Sequence, residues 1–291
     1  MEHICEISST MSYLLEETNR TTENIETGLT ELDNITSGCR KSELIVIGSE
    51  VKMGNTPFLI TLLRNIVYEK NISAAYFSLK QSKYLVTSYL LSNICDVEIK
   101  YLRDGKLNPS QKMDIEKALT KIDNSPLYID DRSDLSVSDI KNSLYELRTE
   151  DHVNIDVIFV DGLNLMNYRG ELCMHSDKAL GLTILGLKEL AKLFQIPVFV
   201  TYQMDSITRS GSEKRPFLCD LTEKNKLFSA ADMMWFIYRP EYYHITEDED
   251  GNSMLGKAEI IAAGQGANGI ATVSFRRQYS KFEDRYSGFT F

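Results

Sequence analysis

The sequence predicts an α/β fold: a mostly parallel sheet with helices on both faces and antiparallel strands at its C-terminal edge. Two observations predict this architecture. From Ile25 onward, short β-branched runs alternate with amphipathic stretches, which is typical of a parallel sheet covered by helices. After Asp232 the helical stretches stop, and short strand patterns are joined by turn-rich segments, which indicates antiparallel strands that extend the sheet.

Hydrophobic periodicity places the individual elements along the chain. The parallel strands are predicted at 43–48, 73–79, 127–130, 155–160 and 197–202. The helices between and after them are predicted at 57–69, 82–95, 109–122, 136–148 and 177–194. The edge strands are predicted at 232–238, 257–263, 270–276 and 281–285.

The first residues predict a separate helical arm. Apolar residues recur at helical spacing within 2–18 and form a stripe of Ile4, Ile7, Met11 and Leu14. A polar run follows, so we predict an arm at 1–24 and one main domain at 25–291. The stripe predicts contact with another subunit or with a partner protein; the alternative is an ordinary helix that packs on its own core.

Composition limits the classes of function. The net charge of −10 argues against a large sequence-independent DNA-binding face, which needs a basic surface. The five cysteines include no C-x-x-C pair, so they predict reduced thiols in a cytoplasmic protein without a zinc site. No apolar run approaches the roughly 20 residues that span a bilayer, which predicts no membrane partner.

The stretch 45–56 has the layout of a phosphate-binding loop. An apolar strand leads to a tight turn at Gly54, and Thr56 opens a helix. In a working loop a Lys precedes that Thr and reaches the phosphates, while the Thr hydroxyl holds magnesium. Here Asn55 stands at the Lys position, and Glu50 adds a negative charge to a loop that receives anions.

A second nucleotide-site pattern is the apolar strand that ends at Asp161. It matches a Walker B strand, whose carboxylate orients magnesium beside the loop. Thr56 and Asp161 are therefore the candidate metal ligands, and Gly54, Asn55 and Thr56 the candidate cofactor-binding residues. Lys80 is expected near Asp161 and has two possible roles: it forms a salt bridge to Asp161, which we favour, or it holds an anion in place of the missing loop Lys.

Over 25–282 the chain resembles the C-terminal motor domain of DnaB-type replicative helicases, a branch of the RecA-like ATPases. The resemblance rests on the order and spacing of segments 27–33, 36–38, 77–79, 102–107, 128–131, 136–140, 214–216, 220–223, 238–243 and 279–282. It implies a RecA-like P-loop core, a linker-type helix at 2–18, ATP or ADP with magnesium as cofactors, and ring assembly. It also implies that Gln203 is the γ-phosphate sensor; the alternative is that Gln203 caps a loop at the end of its strand. Arg239, Tyr242 and Tyr243 would flank the adenine, and aromatic packing is the alternative for these three.

The departures from the family indicate lost catalysis. Lys80 stands at the position of the family's catalytic Glu, and Gly266 or Ala267 at that of the Arg finger. Thr222 replaces the Arg that begins the DNA-facing loop. We therefore expect weak or absent nucleotide binding and at most weak single-stranded DNA binding.

Three functions remain open at this point. The preferred one is a divergent, catalytically inactive DnaB-like homologue that acts in DNA replication through ring or partner interactions. The alternatives are a functional ATP-dependent DNA helicase and a nucleotide-binding sensor without turnover. Two interpretations remain open for the charged residues Lys214, Arg215, Lys224 and Lys226: they contact DNA phosphates, or they are ordinary solvent-exposed charges.

Overall fold

A nine-stranded sheet organises the part of the chain that the structure, a computed structural model, describes: residues 24–122, 126–168, 177–205, 214–216, 227–248, 250–264 and 267–285. The strand order is β3-β2-β4-β5-β1-β6-β7-β8-β9. The strands are β1 Leu44–Ser49, β2 Ala74–Ser78, β3 Leu127–Asp130, β4 Val157–Asp161, β5 Val198–Gln203, β6 Met233–Tyr238, β7 Lys257–Gly264, β8 Gly269–Arg276 and β9 Lys281–Asp284. β1 to β6 pair in parallel, and β7, β8 and β9 continue the sheet antiparallel.

Seven α-helices cover the sheet in this described part. They are α1 Thr30–Thr36, α2 Asn55–Leu63, α3 Lys83–Cys95, α4 Ile99–Asp104, α5 Pro109–Ile122, α6 Val137–Thr149 and α7 Asp177–Phe194. α2 continues as the π-helical segment Arg64–Glu69. No helix in the described ranges has the length and apolar character needed to cross a membrane.

The predicted fold class and all nine predicted strands are confirmed, with ends that differ by one or two residues. The helices α1 and α4 were missed because six or seven residues hold too few turns to show a periodicity. The predicted arm at 2–18 lies outside the described residues, and the domain division at residue 24 stays a prediction.

The central parallel strands are buried on both faces, which explains their nearly continuous apolar runs. On one face an aromatic row takes one ring each from β2, β4, β5 and β6 and passes over β1: Tyr76, Phe159, Phe199 and Trp235 lie with successive ring centroids 6.3, 5.2 and 5.7 Å apart. α2 adds Phe58 to this row, edge-on against Trp235. Each such aromatic pair contributes about 0.5–1.5 kcal/mol beyond area burial, so the row stabilises the packing on this face of the sheet.

One segment of the family resemblance has a purely structural role. The Asp33 carboxylate accepts hydrogen bonds from the Thr27 backbone N–H, the Thr27 hydroxyl and the Gly28 N–H. Burial raises the pKa of Asp33, while the bonds from Thr27 and Gly28 act in the opposite direction. The segment 27–33 therefore closes the turn that leads into α1, away from the carboxyl edge of the sheet.

Candidate functional site

A cavity of about 480 Å³ opens at the carboxyl edge of the sheet. Its walls come from the loop after β1, the ends of β2, β5, β6 and β8, and the segments at α3 and α4. It is lined by Ser49, Glu50, Val51, Lys52, Gly54, Asn55, Thr56, Pro57, Lys80, Gln81, Tyr89, Ile99, Gln203, Arg239, Phe275, Arg277 and Ser280. This edge is where parallel α/β sheets bind ligands.

The loop after β1 turns at Gly54, as predicted. Its φ of +115° is rarely adopted by residues with a side chain, and an added Cβ would lie 3.0 Å from Cζ of Phe282. α2 begins at Asn55, one residue before the predicted Thr56. Pro57 is the third helical residue and has no N–H, so only two backbone donors of the first three positions remain for an anion.

Asn55, at the position of the missing Lys, is turned into the protein. Its Nδ2 donates to the carbonyl of Tyr202 at 3.1 Å, and the residue is 8% exposed. Its Oδ1 is buried without a hydrogen-bond partner among the described residues. Asn55 therefore ties the start of α2 to β5, and it supplies no positive charge.

Asp161 lies at the centre of a hydrogen-bonded cluster beneath the cavity. It is fully buried and accepts hydrogen bonds from the Thr56 hydroxyl at 2.6 Å and the Thr201 hydroxyl at 2.7 Å. The parallel register explains this, because Asp161 is directly opposite Thr201. The Tyr76 hydroxyl is 3.4 Å away; burial and then the Asp161 carboxylate raise the pKa of Tyr76 well above its usual value, so it remains a neutral donor.

Lys80 completes this cluster from the segment after β2. Its Nζ lies 3.9 Å from Oδ1 of Asp161, and its side chain is 23% exposed. The predicted salt bridge is therefore present at long range. At the position where the resemblance implies a catalytic Glu, an ammonium therefore faces both the buried Asp161 and the cavity.

The residues present do not fit a magnesium ion. Mg²⁺ keeps several waters and is held by accessible carboxylates, whereas Asp161 has no exposed surface. Two unit charges about 4 Å apart interact by roughly 4 kcal/mol at the effective dielectric constant of such sites. The repulsion between an ammonium and a divalent ion at that distance is about twice as large. The Lys80 ammonium would therefore repel a metal at Asp161. In the described ranges no group of three or more His, Cys, Asp or Glu side chains forms a metal site elsewhere.

Two of the residues predicted around the adenine instead form hydrogen bonds with the loop that follows β1. Arg239 is buried; it donates through Nη1 to the Lys52 carbonyl at 3.3 Å and pairs with Glu241. The Tyr243 hydroxyl donates to Oε1 of Glu50 at 2.6 Å. Burial and then Glu50 raise the pKa of Tyr243, so this phenol stays protonated.

Tyr242 does not join the cavity wall. Its ring is 38% exposed and packs edge-on against Tyr243. Of the predicted adenine-flanking residues, Arg239 alone lines the cavity, and the aromatic packing weighed for Tyr242 and Tyr243 is what the structure contains. The negative charge of Glu50, expected to oppose anions, is turned toward Tyr243.

The other predicted residues are only partly brought together. Gln203 lines the cavity, with its backbone held by two hydrogen bonds to Asn164. Ala267, one of the two residues at the finger position, is buried in the core, and Gly266 lies outside the described residues. Arg215 makes a bidentate pair with Glu259 at 2.6 and 2.8 Å, so its guanidinium is engaged within the domain. Thr222, Lys224 and Lys226 lie outside the described residues.

Sequence reasoning missed Thr201, Tyr76, Lys52 and Arg277. Thr201 and Tyr76 lie inside apolar strand runs, and only the strand order places them beside Asp161. Arg277 enters from the β8–β9 turn and is distant in sequence from every nucleotide pattern. Alternation within the strands could have indicated which hydroxyl shares a face with Asp161, but not which strand is its neighbour.

Known proteins similar to this chain agree on one family. Residues 24–284 match the family described as DnaB-like helicase C terminal domain. The replicative DNA helicase DnaB of Geobacillus stearothermophilus is 30% identical over 260 residues, which cover 89% of this chain and 56% of the relative. That of Buchnera aphidicola subsp. Schizaphis graminum is 33% identical over 273 residues, or 91% and 56%. The chain thus spans about half the length of these relatives.

Solved structures agree on the fold. One of them, described as an ATPase domain, matches with a TM-score of 0.85 at 21% identity, over 97% of this chain and all of that one. A DnaB-like replicative helicase studied with primase matches with a TM-score of 0.84 at 21% identity, over 97% of this chain and 69% of the other. The sheet with its antiparallel C-terminal strands is therefore the RecA-like fold of DnaB ATPase domains.

Proposed function

Because this chain belongs to the DnaB-like helicase C-terminal domain family, we propose that it acts in DNA replication as a homologue that does not hydrolyse ATP. It works through contacts with a ring of its own copies or with a helicase partner. One observation carries the catalytic part of this proposal: the Lys80 ammonium lies beside Asp161, at the position where the family resemblance implies a general base.

The physical reason is the proton chemistry of that position. An ammonium has three N–H donors and no acceptor, so it cannot take a proton from an attacking water. A positioned base contributes on the order of 10² to 10⁴ in rate, and an Arg finger about 10³ or more. Asn55 in place of the loop Lys removes a further stabilising charge from the phosphates.

The alternative is a functional ATP-dependent helicase. The retained Gly54, Thr56, Asp161 and Gln203 favour it, because each stands where the family motif has it. A nucleotide-binding sensor without turnover would keep the same residues. A measurement of ATP hydrolysis distinguishes the helicase from the inactive homologue and from the sensor, neither of which hydrolyses ATP.

We expect no magnesium-dependent ATP hydrolysis by the purified protein, even at high protein concentration. Loss of base and finger together lowers the rate by about 10⁵-fold or more relative to an active relative. Phosphate release is measured with and without single-stranded DNA. The Asp161→Asn variant is the control for contaminating ATPases, and activity in the unaltered protein that disappears in this variant would contradict the proposal.

We expect the arm at 2–18 to control assembly. Its apolar stripe is unstable alone in water and needs a receptor groove, so deletion of residues 1–20 should shift the protein toward monomer. Size-exclusion chromatography with light scattering measures the mass. Ile7→Asp on the stripe should act like the deletion, whereas Ser9→Asp on the opposite face should not. An assembled protein whose mass survives the deletion would contradict this role.

Single-stranded DNA binding should be weak and should vanish at moderate salt. Thr222 replaces the DNA-facing Arg of the family, and the chain is acidic overall. Fluorescence anisotropy with a labelled oligonucleotide over a salt series measures this. Tight binding at physiological ionic strength that is lost in a Lys224→Ala, Lys226→Ala variant would instead support the helicase alternative.

A further inference from the structure

The cavity concentrates positive charge although the chain carries a net charge of −10. Four cationic side chains line it: Lys52, Lys80, Arg239 and Arg277. Among the described residues of the lining, Glu50 is the one carboxylate, and its Oε1 is already hydrogen-bonded to Tyr243. The lining itself therefore has more cations than carboxylates, although behind it Arg239 pairs with Glu241 and Lys80 lies 3.9 Å from Asp161.

A buried donor in the wall is left without an acceptor. Arg239 is 6% exposed, and its Nε has no hydrogen-bond partner within the described residues. An unpaired buried guanidinium N–H costs free energy. Because this Nε is itself buried and the guanidinium stacks on the Phe275 ring, a ligand oxygen would reach it only after the side chain moves, so this donor does not form part of the anion site.

Lys80 lies where a cation is needed for binding phosphates. Its ammonium approaches Asp161 only to 3.9 Å and is one of the groups that line the cavity. An ammonium has three donors, so Lys80 can neutralise Asp161 from one side and still donate to an anion from the other. This is the electrostatic task that a divalent metal performs between a Walker B carboxylate and a phosphate chain.

We propose that Lys80 is a built-in replacement for the metal, so that the cavity binds polyphosphate anions without a divalent cation. The ligand class is a chain of two or three phosphates, free or attached to a nucleoside, which the volume of about 480 Å³ accommodates. Magnesium weakens this binding, because it neutralises the ligand and is repelled by Lys80. This inference rests on the proposed function in one respect: without hydrolysis, the bound phosphate chain stays intact.

The test is isothermal titration calorimetry of the whole protein at low salt, in EDTA and then in excess magnesium. Inorganic tripolyphosphate, ATP, ADP and adenosine are the four probes. We expect tripolyphosphate and ATP to bind in EDTA, adenosine not to bind, and magnesium to lower the affinity. Equal affinities of tripolyphosphate and ATP assign the recognition to the phosphates alone, and tighter ATP binding adds the nucleoside.

Lys80→Gln should weaken tripolyphosphate binding in EDTA at least about tenfold, because it removes a charge-assisted hydrogen bond to the phosphates. Lys83→Gln is the matched control, because Lys83 is an exposed residue outside the cavity lining. Lys80→Arg keeps the charge and should retain most of the affinity, which separates loss of charge from loss of folding.

The inference is overturned if the folded protein does not bind tripolyphosphate in EDTA, if magnesium strengthens ATP binding, or if Lys80→Gln and Lys83→Gln behave alike. The proposed function has a separate readout. Absent binding together with absent hydrolysis overturns only the inference, whereas magnesium-dependent phosphate release overturns the proposed function.

Discussion

Replacing Asn55 by Lys and Lys80 by Glu together is expected to make ATP binding magnesium-dependent. The first change returns a cation to the start of α2, beside the phosphates. The second places a carboxylate close to Asp161, where Lys80 now lies 3.9 Å from it. Two carboxylates at that distance repel each other, and a divalent ion bound by the new carboxylate, at a partly exposed position, relieves the repulsion although Asp161 itself stays buried.

Magnesium should then strengthen ATP binding by roughly tenfold or more, the effect of one added charge-assisted contact. It should also raise the melting temperature without nucleotide, because the ion binds the folded state. Calorimetry and thermal denaturation measure the two effects. Turnover should stay absent, since the finger position is not restored.

The single variants are the controls for this prediction. Lys80→Glu alone should be the least stable of the set in EDTA, because it adds repulsion without the compensating Lys at 55. Asn55→Lys alone should tighten ATP binding without making it depend on magnesium. A double variant that binds ATP equally well with and without magnesium would show that Lys80 does not take the place of the metal.

Removing the Asp161 side chain is expected to destabilise the fold by about 3–5 kcal/mol. The Asp161→Ala change leaves the Thr56 and Thr201 hydroxyls and the Tyr76 phenol without their acceptor. It also leaves the Lys80 ammonium without its counter-charge. Breaking a buried pair on one side costs this much because the remaining polar groups stay buried and unpaired.

Urea unfolding of the protein and the variant gives the difference in unfolding free energy. Asp151→Ala is the control: this exposed residue should change the free energy by no more than about 0.5 kcal/mol. Asp161→Asn should lie between the two, because its amide oxygen still accepts from one hydroxyl. A cost below about 1 kcal/mol for Asp161→Ala would mean that the cluster does not contribute to stability.

The elements could be predicted with one or two residues of error because their signals are local. β4 is an uninterrupted apolar run and α7 is an 18-residue amphipathic stretch, so the local pattern alone identifies the first as a strand and the second as a helix. The turn at Gly54 follows from the loop pattern, and its φ of +115° confirms why glycine is needed there. α1 was missed because its seven residues hold too few turns to show a helical periodicity.

The sequence predicted which residues belong to the candidate site, but not how their side chains are arranged in space. The sequence indicated that Asn55 and Lys80 depart from the family, and it offered the Lys80–Asp161 pair as one interpretation. It did not indicate that Asn55 donates to Tyr202, because that contact joins residues 147 positions apart. It placed Tyr242 beside the adenine by resemblance, whereas the ring packs outside the cavity wall.

By itself, the sequence determined the family, the strand and helix order and the chemical types at the nucleotide motifs. These depend on local periodicity and on motif spacing along the chain. Only the tertiary structure decided that Lys80 faces both Asp161 and the cavity, and that Arg277 and Arg239 join it there. The reason is that charge acts through space: the parallel order of β1, β2, β4, β5 and β6 brings their carboxyl ends to one edge, whatever their separation along the chain.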